Sequence, residues 1–158
     1  MNAAGSSLNV AYTSSDWRGV ALSNFSLSPF LMDGRLMASV EGFIQGLKFP
    51  EDDARRMQAF QSNAWDAKKI GAQADKSGAW WAGQQLAFGG AEHHRLVARA
   101  VRARIEQSVG LCHVLMGTAG LTLIHETGHE PEPAITSLPA TVFCRVLTDL
   151  REELLARS

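Results

Sequence analysis

The pattern of apolar and polar positions is helical through much of the second half of the chain. From Glu92 to about Val109, apolar residues recur at every fourth position while arginines and Glu106 occupy the other faces. This spacing predicts an amphipathic helix. A second helical pattern begins near Pro139. The positions that it would bury are Phe143, Val146, Leu147, Leu150 and Leu154.

Shorter patterns predict further helices. Ser39 is a typical N-cap for a helix over residues 40–49. Pro50 fits the first turn of a helix that ends near Phe60, with three acidic residues at its positive end. Two more short helices are predicted at residues 64–75 and 111–116.

Strand signals are weaker and lie near the N-terminus. Alternating apolar residues around Asp33-Gly34 predict a hairpin turn. Residues 1–20 are small and polar, which predicts a loosely structured start with one short strand near residues 8–13. Residues 76–90 are punctuated by glycine and are predicted to be a loop. The fold class predicted is α+β: a mostly helical single domain, residues 1–158, with a small N-terminal strand component.

Composition narrows the functional classes only a little. The chain has 158 residues, 46% of them hydrophobic, and a formal net charge of −1, a balance that requires neither nucleic acid nor membrane as a partner. Cys112 and Cys144 lie in apolar surroundings and are expected to be free thiols in a reducing compartment. The N-terminal residues do not resemble a signal peptide. We therefore expect a cytoplasmic protein without a membrane span.

Residues 125–129 spell H-E-T-G-H, the H-E-x-x-H pattern of zinc peptidases. In those enzymes both histidines lie on one face of a helix and the glutamate activates a zinc-bound water. Thr127 and Gly128 are poor helix residues, and the ring of Pro131 would clash with the carbonyl one turn back. The alternative is a polar turn that contains two histidines by chance. We expect no zinc, but keep a zinc hydrolase using His125-Glu126-x-x-His129 as an alternative.

The predicted helix over residues 40–49 has three faces. One stripe is apolar, a second carries Glu41, Gln45 and Lys48, and a third consists of Gly42 and Gly46. Glycine inside a helix costs about 1 kcal/mol relative to alanine. The bare stripe therefore predicts the close approach of either a neighbouring backbone or a ligand.

The same region resembles the opening of the NADAR superfamily, the YbiA-like proteins. The family pattern runs S-N-F, a short hydrophobic hairpin, and then S-x-E-H-x-x-Q-x-x-K-F. Its positions are matched here by Ser23, Asn24, Phe25, Ser39, Glu41, Gln45, Lys48 and Phe49. Weaker likenesses follow in family order at residues 67–71, 103–107, 115–127 and 141–154. The resemblance covers most of the chain and rests on the order and spacing of all its parts.

The resemblance implies hydrolysis of an N-glycosidic bond in a ribose-phosphate or ADP-ribose conjugate, with an ADP-ribosylated base as one candidate and without a cofactor. Glu41 would stabilise the oxocarbenium ion and activate water. Glu126, at the position of the family's glutamate, or His125 would protonate the leaving nitrogen. Substrate-binding roles follow for Asn24, for Phe25, for Lys48 as phosphate ligand or partner of Glu41, for Trp81 or Trp80 as stacking ring, and for Arg104 or Arg99 as second phosphate ligand.

The sequence also departs from the NADAR pattern. Gly42 replaces the histidine that follows the family's glutamate, and the downstream D-x-x-W-G and G-x-N elements are replaced by residues 128–141. These departures leave a second functional class open. The protein would then bind an ADP-ribose-type or NAD-type ligand without hydrolysing it.

Overall fold

Helices dominate the fold and the strands are short. The structure is a computed structural model that describes residues 6–129 and 131–158. The helices formed by these residues are α1 (Trp17–Leu22), α2 (Val40–Gly46), α3 (Ala54–Phe60), α4 (Ala64–Gly71), α5 (Ala91–Glu106), α6 (Val109–Met116) and α7 (Ala140–Arg157). The strands are β1 (Ser7–Asn9), β2 (Phe30–Met32), β3 (Arg35–Met37), β4 (Ala79–Trp81), β5 (Gln84–Leu86) and β6 (Thr122–Ile124). The α+β class predicted from the sequence is confirmed.

Two of the three strand pairs are antiparallel hairpins. β2 pairs with β3 around Asp33 and Gly34, whose φ angles of 50° and 82° form the predicted turn. β4 pairs with β5 around Ala82 and Gly83, which also have positive φ. The prediction that residues 76–90 form a loop was therefore wrong. Turns of this kind are usually marked by Asn-Gly or Asp-Gly. Here the first turn residue is Ala82, and alanine rarely adopts positive φ, so the sequence carries no signal for the turn.

The third strand pair joins the segment before α1 to the segment between α6 and α7. β1 and β6 are parallel, with Leu8 opposite Leu123, and both side chains are buried. The pairing extends one residue further, because the Val10 amide donates to the Ile124 carbonyl at 2.8 Å. The segments that follow β1 and β6 consequently leave the pair side by side.

Some predicted helix boundaries were wrong. α1 was not predicted; the carboxylate of Asp16 caps it by accepting a hydrogen bond from the Arg18 amide. α3 begins at Ala54 rather than at Pro50, because residues 50–53 form a turn and Asp53 caps the helix instead. α4 ends at Gly71, four residues before the predicted end.

Helix α2 is buried along its whole length and packs against α3, α4 and α5. Its glycine stripe faces other helices. A Cβ atom on Gly42 would lie 2.7 Å from the Ala59 carbonyl oxygen, and one on Gly46 would lie 2.3 Å from the Phe60 ring. Of the two alternatives for this stripe, the structure supports close packing against a neighbouring helix. A side chain as large as histidine would not fit at position 42 in this packing.

Three buried arginines hold loops to the helical core. Arg56 donates to the carbonyls of Phe49 and Trp80, and Arg151 donates to the carbonyl of Leu121. Arg104 donates to the Leu22 carbonyl at 3.1 Å, and burial lowers its pKa to about 10. These guanidinium groups therefore satisfy backbone carbonyls at helix and strand ends, where the chain has no partner of its own.

The two cysteines are free thiols, as the sequence predicted. Cys112 and Cys144 are both free and half-buried, and burial raises the pKa of Cys144 to about 11. Across residues 6–129 and 131–158, no helix combines the length and the apolar character needed to cross a bilayer.

His93 is fully buried in the first turn of α5. Its Nδ1 accepts a hydrogen bond from the Gly89 amide at 2.9 Å, so the neutral ring carries its proton on Nε2. Burial lowers the pKa of His93 to about 4. The neutral ring contributes stability that is complete above the unfolded pKa of 6.5 and is lost as the pH falls toward 4.

We expect His93→Gln to reduce the loss of stability on acidification. In the wild type this residue alone should lower the free energy of unfolding by about 2 kcal/mol between pH 7 and pH 5. Glutamine keeps an acceptor for Gly89 but does not titrate. Urea unfolding at both pH values measures the difference, and His113→Gln, on the exposed face of α6, is the matched control. An unchanged pH dependence in His93→Gln would contradict this assignment.

Candidate functional site

A cavity of about 330 Å³ opens where the segments after β1 and β6 leave the strand pair. Its walls come from the segment after α1, from α2 and α4, and from residues 125–129 and 132–138. A smaller cavity of about 180 Å³ adjoins it. The residues that line both are Asn24, Glu41, His125, Thr136 and Leu138. The two cavities therefore meet at a polar junction.

Glu41 is the central charged group of this junction. It lies in the first turn of α2 with only 9% of its surface exposed, and its Oε1 accepts a hydrogen bond from Gln45 Nε2 at 2.8 Å. Burial raises the pKa of Glu41, although this hydrogen bond and the charges of Lys48, Lys68 and His125 act in the opposite direction. A carboxyl group with a raised pKa next to an open cavity is a candidate for acid–base chemistry.

Two lysines flank Glu41 from different sides. Lys48 lines the smaller cavity and Lys68 the larger one. Burial lowers the pKa of Lys48, with the charge of Glu41 opposing this effect. Neither lysine forms an ion pair with a carboxylate within the described part of the chain. Each cavity thus offers one cation that is free to bind an anionic group.

Asn24 and Phe25 come from the segment that follows α1. The Asn24 carbonyl accepts a hydrogen bond from the Glu41 amide at 3.1 Å, which ties this segment to the start of α2. The side-chain Oδ1 of Asn24 is buried and accepts no hydrogen bond from the described residues. It is available to a donor group on a ligand in the junction.

His125 is held in a defined orientation. Its ring packs edge-on against Phe143, and its Nδ1 lies 2.6 Å from the Val10 carbonyl oxygen. A carbonyl oxygen can only accept a hydrogen bond, so Nδ1 carries the proton and Nε2 of the neutral ring has a free lone pair. The residue lines both cavities. It could therefore accept a proton at Nε2 and deliver it to a ligand.

The H-E-x-x-H segment is not helical, as its residue types predicted. Residues 125–129 form extended chain and a bend, and Gly128 has a φ of 83°. His125 and His129 both line the larger cavity, but not as neighbours on one helix face. Among the residues that the structure describes, no group of three His, Cys, Asp or Glu side chains is arranged to hold a metal ion.

Three residues singled out in the sequence are not brought to either cavity. Glu126 is exposed, and its backbone exchanges two hydrogen bonds with the Asn9 side chain. Trp81 is buried in the core and donates from Nε1 to Asp33 at 3.0 Å. Arg104 is buried against α1, as described above. Their contacts give Glu126, Trp81 and Arg104 structural roles.

An aromatic cluster at the larger cavity was missed in the sequence. Tyr12 and Phe25 line the cavity and stack at 5.0 Å between ring centres, and Trp65 meets both rings edge-on. The Nζ of Lys68 lies 5.5 Å from the centre of the Phe25 ring. The spacing of Trp65 and Lys68, one turn apart on α4, was a usable signal. Nothing in the sequence places Tyr12 beside them.

The chain is similar to a bacteriophage protein family and to a protein of phage T4. The family described as bacteriophage protein GP30.3 matches residues 16–152. The chain belongs to the bacteriophage GP30.3 family. It is also 30% identical over 142 residues to a 17.1 kDa protein from the Gp30–rIII intergenic region of Enterobacteria phage T4, across 87% of this chain and 93% of that protein.

The fold of this GP30.3-family protein is also seen in a solved structure. The NMR structure of the E. coli protein YbiA matches with a TM-score of 0.69 and 20% sequence identity, and the match covers 99% of this chain and 89% of YbiA. The YbiA-like fold that the resemblance to the NADAR superfamily implied is thereby confirmed. Part of the cavity wall comes from the stretch that does not match the NADAR pattern, through His129, Glu132, Pro133, Thr136 and Leu138.

Proposed function

We propose that this protein hydrolyses the C1–N bond of a ribose-phosphate or ADP-ribose conjugate. The observation that carries the proposal is the buried carboxyl group of Glu41 at the junction of two cavities, each of which contains an unpaired lysine. A ribose at the junction would place C1 near the carboxylate, and phosphate groups would bind the lysines. The match to YbiA supports the fold. The proposed chemistry is supported by Glu41 and the two lysines.

The residues suit the charges that develop in such a reaction. As the C1–N bond breaks, positive charge builds on the ribose, and the ionised carboxylate of Glu41 would stabilise it. Glu41 would then take a proton from the water that attacks C1. A protonated His125 would supply a proton from Nε2 to the departing nitrogen. The products are a free base that carries this proton and a ribose with a hydroxyl group on C1.

A turnover assay tests the proposal directly. Purified protein is incubated with ribose-phosphate and ADP-ribose N-glycosides, and free base is measured by chromatography. Release of base from at least one of them, by protein without bound zinc, is the expected result. Stoichiometric zinc in the protein and loss of activity on its removal would favour the zinc hydrolase instead.

Binding without hydrolysis is the second candidate. It is favoured by the replacement of the NADAR D-x-x-W-G and G-x-N elements by residues 128–141. A ligand of this class that raises the melting temperature in proportion to its affinity, yet is recovered intact after long incubation, would support it.

The acid limb of the pH profile should depend on Lys48. Its positive charge lowers the pKa of Glu41, so removing it raises that pKa further. If ionised Glu41 is the active form, the acid limb of kcat/KM in Lys48→Met moves to higher pH. Lys69→Met, which removes an exposed lysine of α4 that lines neither cavity, is the matched control. A shift to lower pH, or an equal shift in the control, would contradict this role.

A further inference from the structure

The larger cavity ends in an aromatic cluster that the proposed reaction does not yet use. Its rings belong to Tyr12, Phe25 and Trp65, with centres 5.0 to 5.1 Å apart. Tyr12 is 37% exposed and Trp65 is 53% exposed. Large aromatic side chains usually bury more of their surface than this. The cluster therefore carries open ring surface to the mouth of the cavity.

The cluster is rigid and has a cation beside it. Each of its rings contacts the other two, so fixing a ligand on them requires little loss of side-chain freedom. Lys68 lies one turn after Trp65 on α4 and projects its Nζ over Phe25. Flat apolar ring surface beside a lysine, which can only donate hydrogen bonds, suits a planar heteroaromatic ring with acceptor atoms on its edge.

We infer that the base of the N-glycoside stacks on the rings of Tyr12 and Phe25, which Trp65 supports edge-on, and that this cluster determines specificity for base-bearing ligands. This inference rests on the proposed function and adds an orientation to it. The base occupies the larger cavity, the ribose lies at the junction with Glu41 and Asn24, and the 5-phosphate reaches the smaller cavity that Lys48 lines.

The orientation follows from the order of chemical features along the two cavities. Among the described residues, aromatic rings free to stack line the larger cavity, where Tyr12 and Phe25 lie. The smaller cavity is lined by Lys48, by polar and aliphatic side chains, and by Phe143, which already packs against His125. A nucleotide has the same order of features, with its base and its phosphate at opposite ends of the ribose. The stacking role that the sequence suggested for Trp81 thus passes to rings from other elements.

Binding of nucleotides and of ribose 5-phosphate tests the inference. Adenosine and guanosine 5′-monophosphates and ribose 5-phosphate are titrated calorimetrically into Glu41→Gln protein, which avoids consumption of the ligand. Tyr12→Ala should weaken nucleotide binding by about 5- to 150-fold, the range for loss of one stacking contact. Trp65→Ala removes the edge-on support of the Tyr12 and Phe25 rings and should weaken nucleotide binding in the same direction, by a smaller factor. Binding of ribose 5-phosphate should not change. Trp65→Phe should recover most of the nucleotide affinity.

A matched control is provided by Trp17, which is 66% exposed on α1 and has no ring contact with Tyr12, Phe25 or Trp65. Trp17→Ala should leave all three affinities unchanged. Equal nucleotide affinity in Trp65→Ala, in Tyr12→Ala and in the parent protein would overturn the stacking inference while leaving the hydrolysis proposal standing. Failure of the nucleotides to bind the parent protein would also overturn it. By contrast, nucleotide binding that depends on the cluster, with no N-glycoside hydrolysed by the wild type, would overturn only the proposed reaction.

Discussion

Glu41→Gln is expected to reduce turnover by at least about a hundredfold, the lower end of what a general acid–base group contributes. Glutamine keeps the size of the side chain and one oxygen that can accept from Gln45, but it cannot take a proton from water. It also cannot stabilise a positive charge on the ribose. Steady-state kinetics with whichever N-glycoside the wild type hydrolyses measures the effect, which should fall on kcat rather than on KM.

The same substitution is expected to stabilise the protein near neutral pH. Because the pKa of Glu41 is raised in the folded state, its contribution to stability is complete below the unfolded pKa of 4.5 and is lost as the pH rises through the folded value. The amide avoids that loss. The melting temperature of Glu41→Gln should therefore exceed that of the wild type at pH 7, by about 2–4 °C for each kcal/mol, and the difference should shrink toward pH 4.

Glu92→Gln is the control for both measurements. Glu92 lies in the first turn of α5 with a side chain that is 69% exposed and forms only a long ion pair with Arg95. Its replacement should leave turnover unchanged and give no stabilisation. Full activity in Glu41→Gln would remove Glu41 from the reaction, and a lower melting temperature at pH 7 would show that the carboxylate is stabilising instead.

Gly46→Ala is expected to destabilise the protein by about 3 kcal/mol or more, the upper part of the range for overpacking. The added methyl group would lie 2.3 and 2.4 Å from two carbons of the Phe60 ring and 3.0 Å from the Arg56 carbonyl oxygen. Both neighbours belong to α3, so α2 and α3 would have to separate. Because α2 carries Glu41, ligand binding should weaken as well. Chemical denaturation and the thermal-shift response to ribose phosphates measure the two effects.

Gly110→Ala separates this packing effect from the helix preference of alanine. Gly110 also lies in a helix, α6, but a Cβ atom there would meet only the Ser108 hydroxyl, at 3.9 Å. Alanine should be neutral at this position or stabilise by up to about 1 kcal/mol. Similar behaviour of the two variants would show that the space beside Gly46 is larger than the structure indicates.

Most helices were predictable because their signals are local. The stripe over residues 97–109 and the cap at Ser39 each require only neighbouring residues, and both predicted helices formed. The hairpin of β4 and β5 was not predictable, because its turn uses Ala82 at a φ of 52°. The β4 end of this hairpin is fixed from outside, since the Trp80 amide donates to the Leu47 carbonyl at 2.9 Å.

The site was predictable where it lies on α2 or on the segment just before the β2–β3 hairpin. Asn24, Phe25, Glu41 and Lys48 all line the cavities. Tyr12 reaches the site only through the pairing of β1 with β6, which no local pattern encodes. For Trp81, residue type alone gave a misleading prediction. Its residue type suits stacking on a base, but burial and a hydrogen bond to Asp33 hold it in the core.

The parallel pairing of β1 with β6 has a consequence for the order in which the protein folds. The hydrogen bond between His125 and Val10 joins residues that are 115 positions apart in the chain. The cavity walls beside these two residues therefore depend on a long-range contact. Closing such a loop is entropically costly and slow compared with forming the helices between its ends. During synthesis Tyr12 is made before β6, and it cannot take its position in the site until β6 has been made. The α2–α4 helices can therefore assemble first, and the cavity is complete only after β6 has been synthesised and has paired with β1.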